Sequence, residues 1–150
     1  MRKNEKGFTL VELIVVIAIV AILAAVGIIG YTQFISNARN TKAQSELDQL
    51  INVLYADSLV EGITIDGELL VDVPSQGKVV FKNDITETEF KALMDKYNAD
   101  GVLKGTFTLS SGNLEYEVDG GTGKAVVVYD SETTLTYTYT PPTPPPPSGD

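Results

Sequence analysis

Glu12 is the one charged side chain in a run of 22 residues, Phe8 to Ile29. A carboxylate in apolar surroundings needs a partner, because an ionised group removed from water is costly unless paired and hydrogen-bonded. Three cations, Arg2, Lys3 and Lys6, stand ahead of the run. Further along, the acidic pairs Glu87/Glu89 and Glu115/Glu117 have the spacing of solvated positions on a helix and a strand. Asp119-Gly120-Gly121 together with Asp130 and Glu132 offers oxygen ligands of the kind Ca2+ takes, though without a diagnostic spacing.

The chain has no Cys and no His. That excludes disulfides, thiolate and imidazole metal sites, and any nucleophilic system built on Cys or His. Serine triads lack their base, and no Walker motif is present. The expectation is a non-enzymatic protein without a cofactor. With 11 Lys+Arg against 20 Asp+Glu the net charge is −9. Such a balance lacks the clustered cations of a nucleic-acid footprint, so no direct nucleic-acid partner is expected.

The element that must position Glu12 is a helix. Twenty-two helical residues span roughly 33 Å, enough for a hydrocarbon core of about 30 Å. The preceding cations place the N-terminus in the cytoplasm. A secretory signal peptide would have a shorter apolar core, although Ala24-Ala25-Val26-Gly27 imitates its cleavage end. A plain membrane anchor fits the length but gives Glu12 no role.

A third reading uses every feature. The string Lys6-Gly7-Phe8-Thr9-Leu10-Val11-Glu12-Leu13 resembles the class III signal of type IV pilins and pseudopilins: a short basic leader, Gly then Phe, and Glu four residues after the Phe, all entering an apolar helix. The resemblance implies that a prepilin peptidase cuts between Gly7 and Phe8, and that the new amine of Phe8 is N-methylated. The mature chain would keep the apolar helix and carry 8 Lys+Arg against 19 Asp+Glu, or −11. It also implies the further partners: identical subunits in a helical filament, an assembly platform with its ATPase, and the membrane before assembly. The precursor would lie in the cytoplasmic membrane and the product in an extracellular pilus. Some pseudopilins bind calcium in a C-terminal loop, which bears on Asp119, Asp130 and Glu132.

In a bundle of apolar helices the amine of Phe8 is the only cation at that end of the mature segment. Pairing it with Glu12 of another subunit would fix an axial register. Glu12 is therefore the expected assembly residue. Gly27 and Gly30 interrupt the apolar run, each costing about 1 kcal/mol relative to Ala in a helix. They either permit close helix contact or let the helix loosen. Pilins commonly carry a Pro in this region, whereas this chain has none before Pro74.

Tyr31, Phe34, Ile35 and Ala38, then Leu47, Leu50, Ile51 and Leu54, recur at the spacing of one helical face. The helix is expected to end near Leu59–Gly62. Beyond it the period shortens. Asp66-Gly67 reads as a hairpin turn, and Lys78–Phe81 as a strand. Thr86-x-x-Glu89 reads as a capping box opening a helix that Gly101 stops. Thr106–Ser110, Leu114–Val118, Lys124–Tyr129 and Thr133–Thr140 read as further strands, with the apolar run Lys124–Tyr129 as an inner one and Gly120–Gly123 as turn material. The expected fold is α+β. A long N-terminal helix, apolar first and amphipathic second, packs on an antiparallel sheet head with one short extra helix. The expected divisions are a cleaved leader 1–7, a transmembrane or filament-core helix 8–30, an amphipathic helix 31–61, a head 62–140 and a Pro-rich tail 141–150. The tail, with six prolines, favours an extended polyproline conformation. It reads either as a semi-rigid exposed tail or as a contact or O-glycosylation element.

The function that follows is a structural subunit of a type IV pilus serving adhesion, motility or DNA uptake. The alternatives are a pseudopilin of a type II secretion or competence system, and a membrane-anchored exported binding domain that never polymerises.

Overall fold

The computed structural model describes residues 6–140. Arg2, Lys3 and the Pro-rich segment 141–150 lie outside the described residues, together with the expectations placed on them. The chain forms two units, residues 1–37 and 38–150.

In the first unit residues 6–9 are non-helical, and helix α1 (Leu10–Ser58) then begins. The helix runs unbroken through Gly27 and Gly30. Every described residue to Asn37 is exposed except Ile35, which is half-buried.

In the second unit α1 buries Ala43, Leu47, Leu50, Leu54 and Ser58. Spacings of three and four place these on one stripe. Complete burial of a side chain such as Leu47 or Leu54 contributes about 1.5–3 kcal/mol each. Burial starts later than the apolar periodicity suggests. Tyr31 and Phe34 share the helical spacing but are 67% and 68% exposed. The part of the sheet that receives α1 reaches back only to Gly121, which lies against the backbone of Arg39. α1 ends as expected: Gly62, at positive φ, donates its N–H to the Ser58 carbonyl at 3.1 Å.

The strands lie in two antiparallel sheets rather than one. β1 (Ile63–Ile65), β2 (Glu68–Ser75) and β3 (Lys78–Phe81) form the first in sequence order. β4 (Thr106–Ser110), β5 (Asn113–Val118), β6 (Gly121–Val126) and β7 (Leu135–Thr138) form the second, in the order β6-β5-β4-β7. Four hairpins turn on the pairs Asp66-Gly67, Gln76-Gly77, Ser111-Gly112 and Asp119-Gly120, with both residues of each pair at positive φ. That is the turn whose twist matches paired strands. Helix α2 (Glu87–Tyr97) sits between the sheets in sequence. Its capping box is present in full, with Thr86 as cap. It stops at Asn98, before Gly101. The Asn98 side chain donates to the Leu103 carbonyl and accepts from the Leu103 N–H, both at 2.9 Å, and so turns the chain.

The run Lys124–Tyr129 is not an inner strand. β6 is the sheet's edge, Val126 is 62% exposed, and the chain then leaves the sheet. Val128 crosses to the first sheet, donating to Val79 and accepting from Phe81 in a parallel bridge. Gly121 and Gly123 belong to the strand and not to the turn. A Cβ at Gly121 would lie 2.3 Å from the Arg39 carbonyl oxygen, and one at Gly123 would lie 2.6 Å from that of Ala43. Two glycines are what allow β6 to lie directly on α1. One core then joins α1, α2 and both sheets, with Phe107 stacked on Tyr116 at 4.4 Å and Phe81 edge-on to Phe90 at 6.3 Å.

Candidate functional site

The sequence-predicted residues Gly7, Phe8 and Glu12 fall at the start of α1. Gly7 and Phe8 lie in the non-helical stretch, and Phe8 is 88% exposed. The helix begins two residues later because Thr9 caps it. The Glu12 N–H donates to Thr9 Oγ1 at 3.3 Å. In return Glu12 Oε2 accepts from the Thr9 N–H at 2.8 Å and from the Thr9 hydroxyl at 3.0 Å. This is a capping box, Thr at the cap and Glu three residues on. It satisfies helix N–H groups that have no partner within the helix itself. Both hydrogen bonds that the Glu12 carboxylate accepts converge on Oε2, so among the described residues Oε1 has no partner.

Thr9 is the capping residue that the charge pattern alone leaves unmarked. The signal was present, since Thr9-x-x-Glu12 has the same form as Thr86-x-x-Glu89. The second box closes with nearly the same distances, 2.7, 3.0 and 3.3 Å. In the first box Glu12 stands out in the sequence as an isolated charge, which obscures its capping spacing to Thr9.

Past the box, the helix presents apolar side chains on every side: Ile14, Val15, Val16, Ile17 and Ile19 are all about half exposed or more. α1 is long and apolar enough to cross a membrane. Gly27 and Gly30 have nothing within 4 Å of where a Cβ would stand.

The other candidate chemistry does not come together. Asp119 is in the β5–β6 turn at positive φ, and Asp130 and Glu132 are in the irregular segment before β7. Among the described residues no group of three or more acidic side chains is arranged to hold a metal ion, so the calcium reading of Asp119, Asp130 and Glu132 has no cluster behind it. Glu115 pairs with Lys124 at 2.9 Å on the sheet surface. Lys82 gathers Glu68 at 2.6 Å, Glu89 at 3.4 Å and Asp84 at 3.8 Å, tying β2 to the cap of α2. The Glu68 hydrogen bond leads in holding the Lys82 ammonium above its usual value, and the Thr86 N–H leads in holding Glu89 below its own. Burial, then the Asp57 carboxylate at 2.9 Å, pushes the Tyr97 hydroxyl up. These contacts stitch the head together.

Residues 2–28 match the family described as the prokaryotic N-terminal methylation motif. No curated protein and no solved structure matches the chain. The chain thus carries the class III signal of type IV pilins and pseudopilins, on an α+β arrangement of long apolar helix, short second helix and antiparallel sheets. The motif supports a type IV pilin-like or pseudopilin protein, and with the apolar helix it is consistent with membrane anchoring of the precursor.

Proposed function

We propose that this chain is a structural subunit that polymerises through α1 into a type IV pilus. The observation that carries the reading is the exposed apolar first half of α1, where Glu12 is the one charge from Phe8 to Ile29 and lies within the matched methylation motif. Such a surface must be covered, first by lipid and then by other subunits. A prepilin peptidase would cut between Gly7 and Phe8, which lie outside the helix, and the Phe8 amine would be methylated. In the assembled filament that amine would meet Glu12 of a neighbouring subunit, setting the register. The head would face outward, serving adhesion, motility or DNA uptake. On this reading the subunit is not an enzyme. Its partners are the peptidase, the assembly platform with its ATPase, and copies of itself.

N-terminal sequencing and mass spectrometry of sheared surface fibres test this. The expected result is a chain beginning at N-methyl-Phe8 in long extracellular filaments. Short wall-spanning assemblies would indicate a pseudopilin. Detergent-soluble monomers that retain residues 1–7 would overturn the filament reading.

A further inference from the structure

We infer that the Pro-rich segment 141–150 of one copy docks into a tyrosine-lined groove on the head of another, as a clasp between subunits. Groove and occupant are both carried by this chain. The role as a clasp rests on the filament reading above, whereas the binding itself does not.

The groove lies between α2 and β7 and encloses about 450 Å³. Lys91, Asp95 and Asn98 line it from the α2 side, and Tyr137, Tyr139 and Thr140 from the β7 side. Tyr137 is buried and Tyr139 half-buried. Gly101, at positive φ, makes room for the Tyr139 ring, since a Cβ there would strike its hydroxyl. Lys91 is exposed and pairs with no carboxylate among the described residues. The groove thus combines aromatic surface, an ammonium donor, and negative charge from Asp95 and Asp100.

Each of these features selects for the segment. A polyproline helix has no internal hydrogen bonds, so its carbonyls are open to a donor such as Lys91. Aromatic-lined grooves suit such segments, because little order has to be imposed on binding. Asp95 and Asp100 would repel an acidic ligand, and residues 141–149 carry no charge in a chain of net −9. Pro141, Pro144 and Pro147 recur every third residue, which is one face of a helix with three residues per turn.

The groove on the same copy is poorly placed to receive it. Thr140 stands at the groove and precedes Pro141, and a residue before proline is held extended. Six of the next seven residues are prolines, whose φ is fixed. Ser148-Gly149 is the first pair suited to a turn. A segment so built leads away from its own groove and spans roughly 31 Å over ten residues at about 3.1 Å each. A second copy within that reach presents the same groove. In a filament, where copies stand side by side, a high effective concentration makes even a weak contact persistent.

The experiment compares the full-length chain with a chain ending at Thr140, both monomeric in detergent. A labelled synthetic peptide of residues 140–150 is the probe, and fluorescence anisotropy reads its binding. The expected result is saturable binding, equal for the two chains. Tyr139→Ala should weaken it about ten-fold, the factor of one lost aromatic contact, while Tyr139→Phe binds like wild type. Lys91→Gln, at an exposed position, should weaken it as well. A peptide carrying Pro144→Ala with Pro147→Ala should bind about ten-fold more weakly or not at all, and this change leaves the protein's fold untouched. In the native host, filaments of the chain ending at Thr140 should form but dissociate at lower denaturant than wild type.

No binding, or binding indifferent to the two prolines, would overturn the groove. Binding ten-fold weaker to the full-length chain than to the shortened one would mean that each copy fills its own groove, and would overturn the exchange. Filaments equally resistant without residues 141–150 would overturn the clasp. Each of these leaves the filament reading standing. That reading falls if wild type forms no filaments, and the clasp falls with it, while the peptide titration still decides the groove.

Discussion

The Gln44 side chain closes on both backbone groups of Lys124: Gln44 Oε1 accepts from the Lys124 N–H at 2.9 Å, and Gln44 Nε2 donates to the Lys124 carbonyl at 3.2 Å. One turn earlier, Asn40 Oδ1 accepts from the Thr122 N–H at 3.1 Å. Two amides on α1 thus act as a strand partner for the free side of β6. An open sheet edge is a template for unwanted pairing, and covering it is a common protection. Gln44→Leu keeps the bulk and removes the clasp. Because water can reach this edge, the expected loss is only about 1 kcal/mol, the net worth of such hydrogen bonds. Urea unfolding of the detergent-solubilised chain measures it. The variant should also aggregate more readily than Gln49→Leu, which alters an exposed position on the same helix.

Gly123 makes that clasp reachable. Its missing Cβ would stand 2.6 Å from the Ala43 carbonyl oxygen and 2.9 Å from the Gln44 Cα, both rigid helix backbone. Gly123→Ala should therefore push β6 off α1 and cost about 1–3 kcal/mol, as overpacking does. Gly67→Ala is the instructive comparison. Nothing lies near its Cβ, but its φ is +86°, so its cost is backbone strain of about 1 kcal/mol with no shift of α1. Thermal unfolding ranks the two, and the amide NMR shifts of residues 40–44 should move only in Gly123→Ala.

These two glycines mark the limit of what could be read from residue order. The alternation in β4 and β5, the box at Thr86 and the stripe Leu47, Leu50 and Leu54 were legible because each reports a local period or cap. Gly121 and Gly123 look like turn residues, and only their approach to a helix some 80 positions away in sequence explains them. The run Lys124–Tyr129 was misplaced for the same reason. Its apolar character is shared between an edge strand and a crossing to the other sheet, and no local period distinguishes those. Gln76-Gly77 turned a hairpin without the Asn or Asp that advertises one. At the N-terminus the motif is plain, but the isolated charge of Glu12 obscures the capping spacing to Thr9.

The Lys82 cluster gives the head a defined pH response. Glu89 titrates below its usual value when folded, so its stabilisation is complete above an unfolded carboxyl value of about 4.3 and fades as pH falls through the lower folded value. Lys82 titrates above its usual value when folded. Its share is complete below an unfolded value of about 10.4 and fades as pH rises through the higher folded value. Glu89→Gln should flatten the acid side of a melting-temperature profile, and Lys82→Met the alkaline side. A Glu89→Gln profile that still fell as steeply as wild type in acid would show that other carboxylates dominate.

Glu12→Ala separates membrane insertion from assembly. Removing the carboxylate makes the helix more apolar, so insertion should persist, and cleavage at Gly7–Phe8 should persist with it. If the Phe8 amine pairs with Glu12 across subunits, filaments should be lost or sharply reduced. An amine held beside a desolvated carboxylate and then stripped of it is a buried unpaired charge, the costly half of a broken ion pair. Immunoblots of membranes and of sheared fibres, compared in the same cells, give both numbers. Filaments at wild-type level would remove Glu12 from the assembly step.

Gly27 and Gly30 pose the last question that a substitution can settle. α1 is continuous through both, and neither has a neighbour that its Cβ would strike. Each costs the helix about 1 kcal/mol relative to Ala, so Gly27→Ala with Gly30→Ala should stiffen it by about 2 kcal/mol. Close packing tolerates this exchange, because Ala still belongs to the small residues that let helices approach. Loosening does not tolerate it, because the added helix stability opposes every step that unwinds the segment. If the segment loosens as subunits enter the filament, the double variant should be inserted and cleaved normally, show more helix by circular dichroism in detergent, and yield fewer filaments. Restored yield from a variant with Ser at both positions, a poorer helix former than Ala, would tie the loss to helix stability rather than to bulk. Full yield from the double Ala variant would instead assign the two glycines to close contact between helices.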